Sequence, residues 1–279
     1  MTRSIAGVVI PAHNEERGIA RCLEVLLAGT SAGELDVVVV ANACDDATAD
    51  VARAAGVRVV ETAIAGKVHA MTLGDKECSA FPRLYLDADV DLDAESLRAM
   101  VSALADSGAL ACSPVPELDL EGAGRVAKGF HRAMGALLAD RRGLSGTGAY
   151  LLAEIGHSRV FPMPEIINDD GYVQRSFSPA EKRIVPQARA VVRPARTVSA
   201  LVRRRARVRL GNRELDALGL RADQPPLGLG RLRALVRAGE VTTPDAACFL
   251  AVLVVEKVLA RWRSLRGEAG TWSADRTTR

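Results

Sequence analysis

Two carboxylates spaced two residues apart, Asp87 and Asp89, close the stretch Arg83-Leu84-Tyr85-Leu86-Asp87-Ala88-Asp89-Val90-Asp91. Hard oxygen ligands of this kind suit Mg²⁺ or Mn²⁺, above all an ion that also touches phosphate. Leu84 to Leu86 is a short apolar run, expected to form a buried strand that delivers both acids at its carboxyl end. Open α/β sheets bind ligands outside that end of their strands. On a strand, residues i and i+2 point to one face, so both acids would reach a single ion. A calcium loop competes for the same residues, because Asp91, Asp93 and Glu95 follow. Counted from Asp87, however, Leu92 stands where Gly is needed and Arg98 where a bidentate Glu is needed, which excludes an EF-hand. Taken alone, Asp-x-Asp also fits a polar strand end leading into a helix capped by Asp93.

The elements that must hold these acids follow from the periodicity. Ile5 to Ile10 is a strand ending at Pro11, and Glu15 to Ala28 carries Ile19, Cys22, Leu23, Leu26 and Leu27 at helical spacing. Leu35 to Ala41 and Val57 to Glu61 are further strands, separated by a short helix through Ala55, and Gly66-Lys67 opens another helix. Glu95 to Leu104 is predicted helical, Leu110 to Ser113 a strand and Gly124 to Arg141 a long amphipathic helix. Strands alternating with helices imply a largely parallel sheet with helices on both faces.

Composition narrows the class. The chain of 279 residues is long enough for a large core. Cys22, Cys44, Cys78, Cys112 and Cys248 are scattered, odd in number and without a Cys-x-x-Cys pair, which points to reduced thiols in a cytoplasmic protein and against a zinc site. Met1 to Ile5 begins no long apolar region, so no signal peptide is expected. Net charge is +3 but lopsided: residues 1–150 hold 14 Lys+Arg against 21 Asp+Glu, and residues 151–279 hold 23 against 13. The basic C-terminal part suits an anionic partner such as a diphosphate, a phosphorylated acceptor or a membrane surface. It has almost no aromatic residues to stack on bases, so nucleic acid is not expected. No Gly-x-Gly-x-x-Gly follows the first strand and no Gly-x4-Gly-Lys-Ser/Thr occurs, so dinucleotide-binding and P-loop chemistry lose support.

Four stretches in order, Val8-Val-Ile-Pro-Ala-His-Asn-Glu-Glu16, Asn42-Ala-Cys-Asp-Asp-Ala-Thr48, Gly66-Lys-Val-His-Ala70 and Leu86-Asp-Ala-Asp89, together resemble the family 2 glycosyltransferases of GT-A fold. The resemblance covers roughly residues 5–215. It implies an α/β, Rossmann-like nucleotide-binding sheet, mixed and mostly parallel, flanked by helices and followed by a C-terminal helical extension. Residues 1–113 would then bind the nucleotide sugar, 114–215 would carry the acceptor and catalytic-base part of the same domain, and 216–279 would be the extension.

By position, the resemblance places Pro11, Asn14, Glu15, Asn42, Asp46, Lys67 and Asp87 at the donor nucleotide. Asn42 and Asp46 would lie near base and ribose, and Lys67 near the base or diphosphate. Ala41-Asn42 stands where two acids are usual in the family, so the base is left open. Asn14 and Asp46 also fit helix caps, and Lys67 a solvated surface charge. Asp89 and Asp87 would hold Mg²⁺ or Mn²⁺. Gly146, Thr147 and Gly148 belong to a Gly-rich loop that in the family lines the sugar and acceptor pocket, although the same residues fit an ordinary turn. Asp170, with Asp169 beside it, matches the acidic pair that supplies the catalytic base in inverting members. A sugar hydroxyl is a poor nucleophile at neutral pH, and a positioned carboxylate can take its proton. Asn168 or Asp169 could instead cap the helix that follows. Where the family carries a basic Gln-x-x-Arg-Trp motif, this chain has only arginines, and Arg204 and Arg205 either clamp the leaving diphosphate or form a solvated face.

The expected activity is inverting, metal-assisted transfer from a nucleotide-diphosphate sugar, UDP ahead of GDP or dTDP, to a hydroxyl acceptor of anionic or lipid-linked kind. A retaining enzyme would not need Asp170 as base. A nucleotidyltransferase would need a Gly-rich basic loop after the first strand, and this chain has none. A non-catalytic nucleotide-sugar-binding or membrane-associated protein is the alternative from another class. Gln224 to Gly230 reads as a linker. In the helix Asp245 to Arg263, the apolar run Ala246 to Val255 is too short to span a bilayer. That helix would pack on the core or lie at the inner membrane surface, with Lys257, Arg261 and Arg263 near lipid phosphates. The tail from Arg266 is polar and expected to be loose.

Overall fold

The computed structural model describes residues 4–222 and 228–265, with side chains as far as residue 259. Residues 224–227 of the expected linker, the side chains of Arg261 and Arg263, and the tail from Arg266 lie outside the described residues. Two compact units emerge: residues up to Leu118 with Gly143–Val192, and Asp119–Arg142 with the chain from Arg193 onward.

The first unit is built on one sheet, ordered β3-β2-β1-β4-β7-β6-β8-β5. Its strands are β1 (Ala6–Ala12), β2 (Leu35–Asn42), β3 (Arg58–Thr62), β4 (Arg83–Leu86), β5 (Asp91–Leu92), β6 (Ala111–Leu118), β7 (Ala149–Leu152) and β8 (Lys182–Val192). β1 runs parallel to both β2 and β4, with Val8 opposite Val37 on one side and Leu84 on the other. β2 is parallel to β3, whereas β7 is antiparallel to β4 and β6. The sheet is therefore mixed, and its parallel half matches the alternating pattern of the N-terminal sequence. Chain order reverses at β1, and ligand crevices form at such switch points.

Alternation along the strands explains the two cores. Val8, Ile10, Val37, Val39, Leu84 and Leu86 face one side, where α1 (Glu16–Leu27) and α4 (Ala94–Ser107) contribute Ile19, Leu23, Leu97 and Met100. Val9, Val38, Val40 and Tyr85 face the other side, against Val68 and Met71 of α3 (Lys67–Glu77). A further short helix, α2 (Thr48–Ala54), separates β2 from β3. Asp93 caps α4 through its side chain, which accepts from Ser96 N at 2.7 Å, and Gly108 in left-handed conformation ends that helix. Two helices follow β7: α6 (Glu154–Val160), which the periodicity does not announce, and α7 (Asp169–Ser176), the helix expected there, which Asn168 precedes without a side-chain capping bond.

In the second unit, α5 (Arg125–Leu138) packs with α8 (Val198–Ala217), α9 (Leu229–Arg237) and α10 (Thr243–Leu265). Phe130, Leu137, Leu201, Leu232, Phe249 and Val252 form its core, with the Phe130 and Phe249 rings stacked at 5.4 Å. Leu229 and Gly230, expected to belong to a linker, lie in α9, which starts after Gly228. Glu256 of α10 is buried and held by Arg205 at 2.8 Å and by Arg209. The two guanidinium groups offset the cost of burying that carboxylate.

Candidate active site

β4 ends one residue before Asp87, and the next backbone partner decides where that acid goes. Leu86 opposite Ala149 is the last pair of the β4–β7 ladder. Beyond it Asp87 N donates to Gly148 O at 2.8 Å, and Val90 N donates to Asp87 O at 3.1 Å. Residues 87–90 therefore form a turn, not a strand, and the expectation that Asp87 and Asp89 share a strand face is corrected. The physical reason lies in Gly148: at φ +67 it leaves the extended conformation and breaks the ladder. A Cβ there would also meet Val90 Cγ2 at 2.4 Å, so the turn and the loop fit together only around glycine.

Asp87 points toward the first residue of α3. Lys67 Nζ stands 2.7 Å from Asp87 Oδ1 and 3.0 Å from Asp169 Oδ2. Burial opposes the charge on Lys67, but the Asp169 and Asp87 carboxylates outweigh it and hold the ammonium above the usual lysine range. Asp169, the first residue of α7, is only 5 % exposed. Burial pushes its carboxyl up, the Lys67 ammonium offsets part of that, and Asp170 and Asp87 add to it.

Asp170 follows on α7 with both carboxylate oxygens engaged by backbone donors. Oδ2 accepts from Gly146 N at 2.6 Å and Oδ1 from Gly171 N at 2.7 Å. The glycine-rich loop thus holds Asp170 through Gly146 and Asp87 through Gly148. Lys67, Asp87, Gly148, Tyr150, Asp169 and Asp170 line one cavity, and Pro11 closes it from the end of β1. Thr147 is buried, its hydroxyl turned to Ala149 O at 2.6 Å.

Other residues singled out from the sequence build the rim of the parallel half. Asn42 is buried, donating to Ala12 O at 2.8 Å while its Oδ1 accepts from Gly66 N at 3.2 Å. It thereby joins the ends of β1 and β2 to the start of α3. Asn14, at φ +53, accepts from Asp45 N at 2.8 Å. Asp46 accepts from Thr48 N at 3.0 Å and from Glu16 N at 3.2 Å, linking the starts of α2 and α1. Burial would raise the Asp46 carboxyl, but its bonds from Thr48 and Glu16 bring it below the usual range. Glu15 N donates to Thr48 Oγ1 at 2.8 Å. Arg204 and Arg205 lie on α8, in the second unit, where Arg205 is engaged by Glu256. Asp89 sits in the 87–90 turn, packed against α1: a Cβ on Gly18 would lie 3.5 Å from Asp89 Cα.

Tyr150, which no motif in the sequence singles out, also lines the cavity. It is buried and stacked on Tyr85 at 5.3 Å, and among the described residues its hydroxyl has no hydrogen-bond partner. Burial, then Asp169, pushes its ionisation far above the ordinary tyrosine value, so it is a hydrogen-bond donor at any working pH. Its signal in the sequence is only the first aromatic after a Gly-x-Gly.

Whether this site fits a divalent cation can be judged from its donors. Among the described residues no three metal-ligating side chains converge. Asp87 already carries a cation, the Lys67 ammonium, on Oδ1, and Asp89 lies in the same turn. One or two carboxylates completed by phosphate oxygens and water are the usual setting of Mg²⁺ beside a nucleotide. The donor set fits an ion held in that way.

The family described as glycosyl transferase family 2 matches residues 7–142 of this chain. A comparison with curated proteins returns no match. Among solved structures, a mannosyltransferase from Pyrobaculum calidifontis in complex with GDP-Man and Mn²⁺ superposes with a TM-score of 0.60 at 19% identity, over 95% of this chain and 81% of that one. Glucosyl-3-phosphoglycerate synthase from Mycobacterium tuberculosis, in complex with Mn²⁺, UDP-glucose and phosphoglyceric acid, gives 0.54 at 19% identity, over 79% and 82%. At these identities the structural likeness establishes the fold. Residues 7–142 thus carry the match to glycosyl transferase family 2, and the protein is a glycosyltransferase built on the GT-A fold.

Proposed function

We propose that the protein transfers a sugar from a nucleotide-diphosphate sugar to an acceptor hydroxyl with inversion, Asp170 acting as general base. The observation that carries this is the convergence of Asp87, Asp169 and Asp170 on one cavity, tied by Lys67 and the 146–148 loop. Donor phosphates would lie at the carboxyl ends of β1 and β4, between Pro11 and Asp87. The Lys67 ammonium would turn from Asp87 toward the diphosphate as that charge arrives. Asn42, Asn14, Glu15 and Asp46 would shape the nucleoside crevice, with the side chains of Asn42, Asn14 and Asp46 fixing backbone at its rim. Gly146, Thr147 and Gly148 would border the sugar and acceptor. A divalent cation on Asp87 and Asp89 would supply neutralisation of negative charge growing on that leaving group.

Asp170 suits the base role because a carboxylate oxygen has two acceptor positions, and each oxygen spends one on a backbone N–H. The free positions can take the acceptor's proton while the backbone bonds fix the carboxylate in place. A UDP-sugar is the first donor candidate. The neighbours carry GDP-Man and UDP-glucose, so both bases merit trial. The basic second unit favours an anionic acceptor, and the five free cysteines favour a reducing, cytoplasmic setting. A thermal-shift screen of UDP, GDP, dTDP and CDP with and without Mn²⁺ tests the donor part. Stabilisation by at least one of them, enhanced by Mn²⁺, is expected, and no response to any of the four would overturn it. The anomeric configuration of the product by NMR then separates inversion from retention.

A further inference from the structure

α10 exposes a row of aliphatic side chains away from the core of its own unit. Leu250, Val254 and Val258 recur every four residues and are 40 %, 60 % and 60 % exposed, and Val255 beside them is 39 % exposed. Residues at that spacing lie along one face of a helix. The inner face is fully used: Ala246, Phe249 and Val252 fill the core with α5 and α8. Between residues 246 and 259 the helix has a single acid, Glu256, and it is turned inward onto Arg205 and Arg209. The outer face therefore bears Lys257 and no carboxylate.

The charge of the whole unit points the same way. Over residues 119–142, 193–222 and 228–265 there are 20 Lys+Arg against 8 Asp+Glu, a net of +12. Apolar side chains on the outer face of a helix, within a strongly basic body, match the requirements of an interfacial helix that lies in the plane of an anionic bilayer. A second copy fits poorly, because it would bring one net charge of +12 against another. Among the described residues no helix is long and apolar enough to cross a membrane, so the helix would lie on the surface. We infer that the second unit docks on an anionic lipid surface through the outer face of α10, with Leu250, Val254 and Val258 entering the headgroup boundary. Such docking would bring the enzyme to a membrane-borne partner, and it stands or falls independently of the donor site.

Sedimentation of the full-length chain with vesicles tests this, at about 0.15 M salt so that surface charges are screened as in cells. Phosphatidylcholine vesicles containing about 30 mol% phosphatidylglycerol should take up the protein at least about tenfold better than pure phosphatidylcholine. The V254Q/V258Q variant adds no charge and should lose about tenfold in partitioning onto the anionic vesicles, with an unchanged circular dichroism spectrum. Equal uptake by both vesicle types, no uptake at all, or undiminished binding of the folded variant would overturn the inference. So would light scattering showing a lipid-free dimer that the same two substitutions dissociate.

Discussion

Asp87 and Asp169, which both line the candidate cavity, share one counter-ion, with Lys67 Nζ 2.7 Å from the first and 3.0 Å from the second. A buried carboxylate is costly without a cation, and Asp169 is the more buried of the two. Lys67 thus holds the β4 turn and the start of α7 together before any ligand arrives. In the proposed donor complex the diphosphate would compete for the same ammonium.

Lys67→Ala leaves Asp169 buried beside two other acids. Breaking a fully buried pair costs about 3–5 kcal/mol, and Lys67 is a third exposed, so a loss of about 1–3 kcal/mol is expected. Urea unfolding measures it. Donor binding should weaken as well, read by calorimetry with the nucleotide diphosphate that stabilises the wild type. Full stability and full affinity together would show that the ammonium is incidental.

Gly148→Ala and Gly146→Ala separate close packing from backbone strain. Both residues have positive φ, but an added Cβ at 146 meets nothing while one at 148 meets Val90 Cγ2. Strain alone costs about 1–2 kcal/mol, so Gly146→Ala should lose about that much. Gly148→Ala should lose more and should also lower donor affinity by moving the Asp87 turn. Equal losses in the two variants would contradict the fit described for the turn.

Acid stability should depend on Glu181, in the turn between α7 and β8. The Ser178 N–H, then Arg159 and the Ser178 hydroxyl, hold its carboxyl down to about 2. A depressed carboxyl contributes stability that is present above its unfolded value, about 4.3, and is lost as pH falls through its folded value. Glu181→Gln should therefore lower the melting temperature at pH 6 to 7, with the gap to wild type closing toward pH 2. A gap that stays constant over that range would assign the effect to packing.

Asp89→Ala addresses the cation. If Asp89 helps to hold it, the Mn²⁺-dependent part of donor binding disappears while the nucleotide's Mn²⁺-independent stabilisation persists. An unchanged Mn²⁺ response in the thermal shift would remove Asp89 from the ligand set.

Much of the parallel half was legible because its strands are continuous apolar runs with polar residues at their carboxyl ends, as in Val8 to Ile10 and Val37 to Val40. The cap at Asp93 was legible for the same local reason. β7 was not, since Ala149 to Leu152 is four buried residues directly after a glycine-rich loop, too short for periodicity to separate from the loop itself. β8 was missed because its exposed polar residues and Pro186 interrupt any strand pattern. The convergence of Asp87 with Asp169 was legible only through the family resemblance, which sets both stretches at one site, and not from any local pattern. It depends on the antiparallel insertion of β7 beside β4, a long-range pairing with no local signature. The two-residue spacing of Asp87 and Asp89 misled for a related reason, because Gly148 ends the ladder just before them.

The central claim concerns Asp170, and the Asp170→Asn variant tests it most directly. Donor affinity and sugar transfer should be measured on the same preparation, with the donor nucleotide identified by thermal shift. The account predicts affinity near that of the wild type and turnover lower by about 10²–10⁴-fold, the usual contribution of a positioned base. Transfer at the wild-type rate by this variant would contradict it.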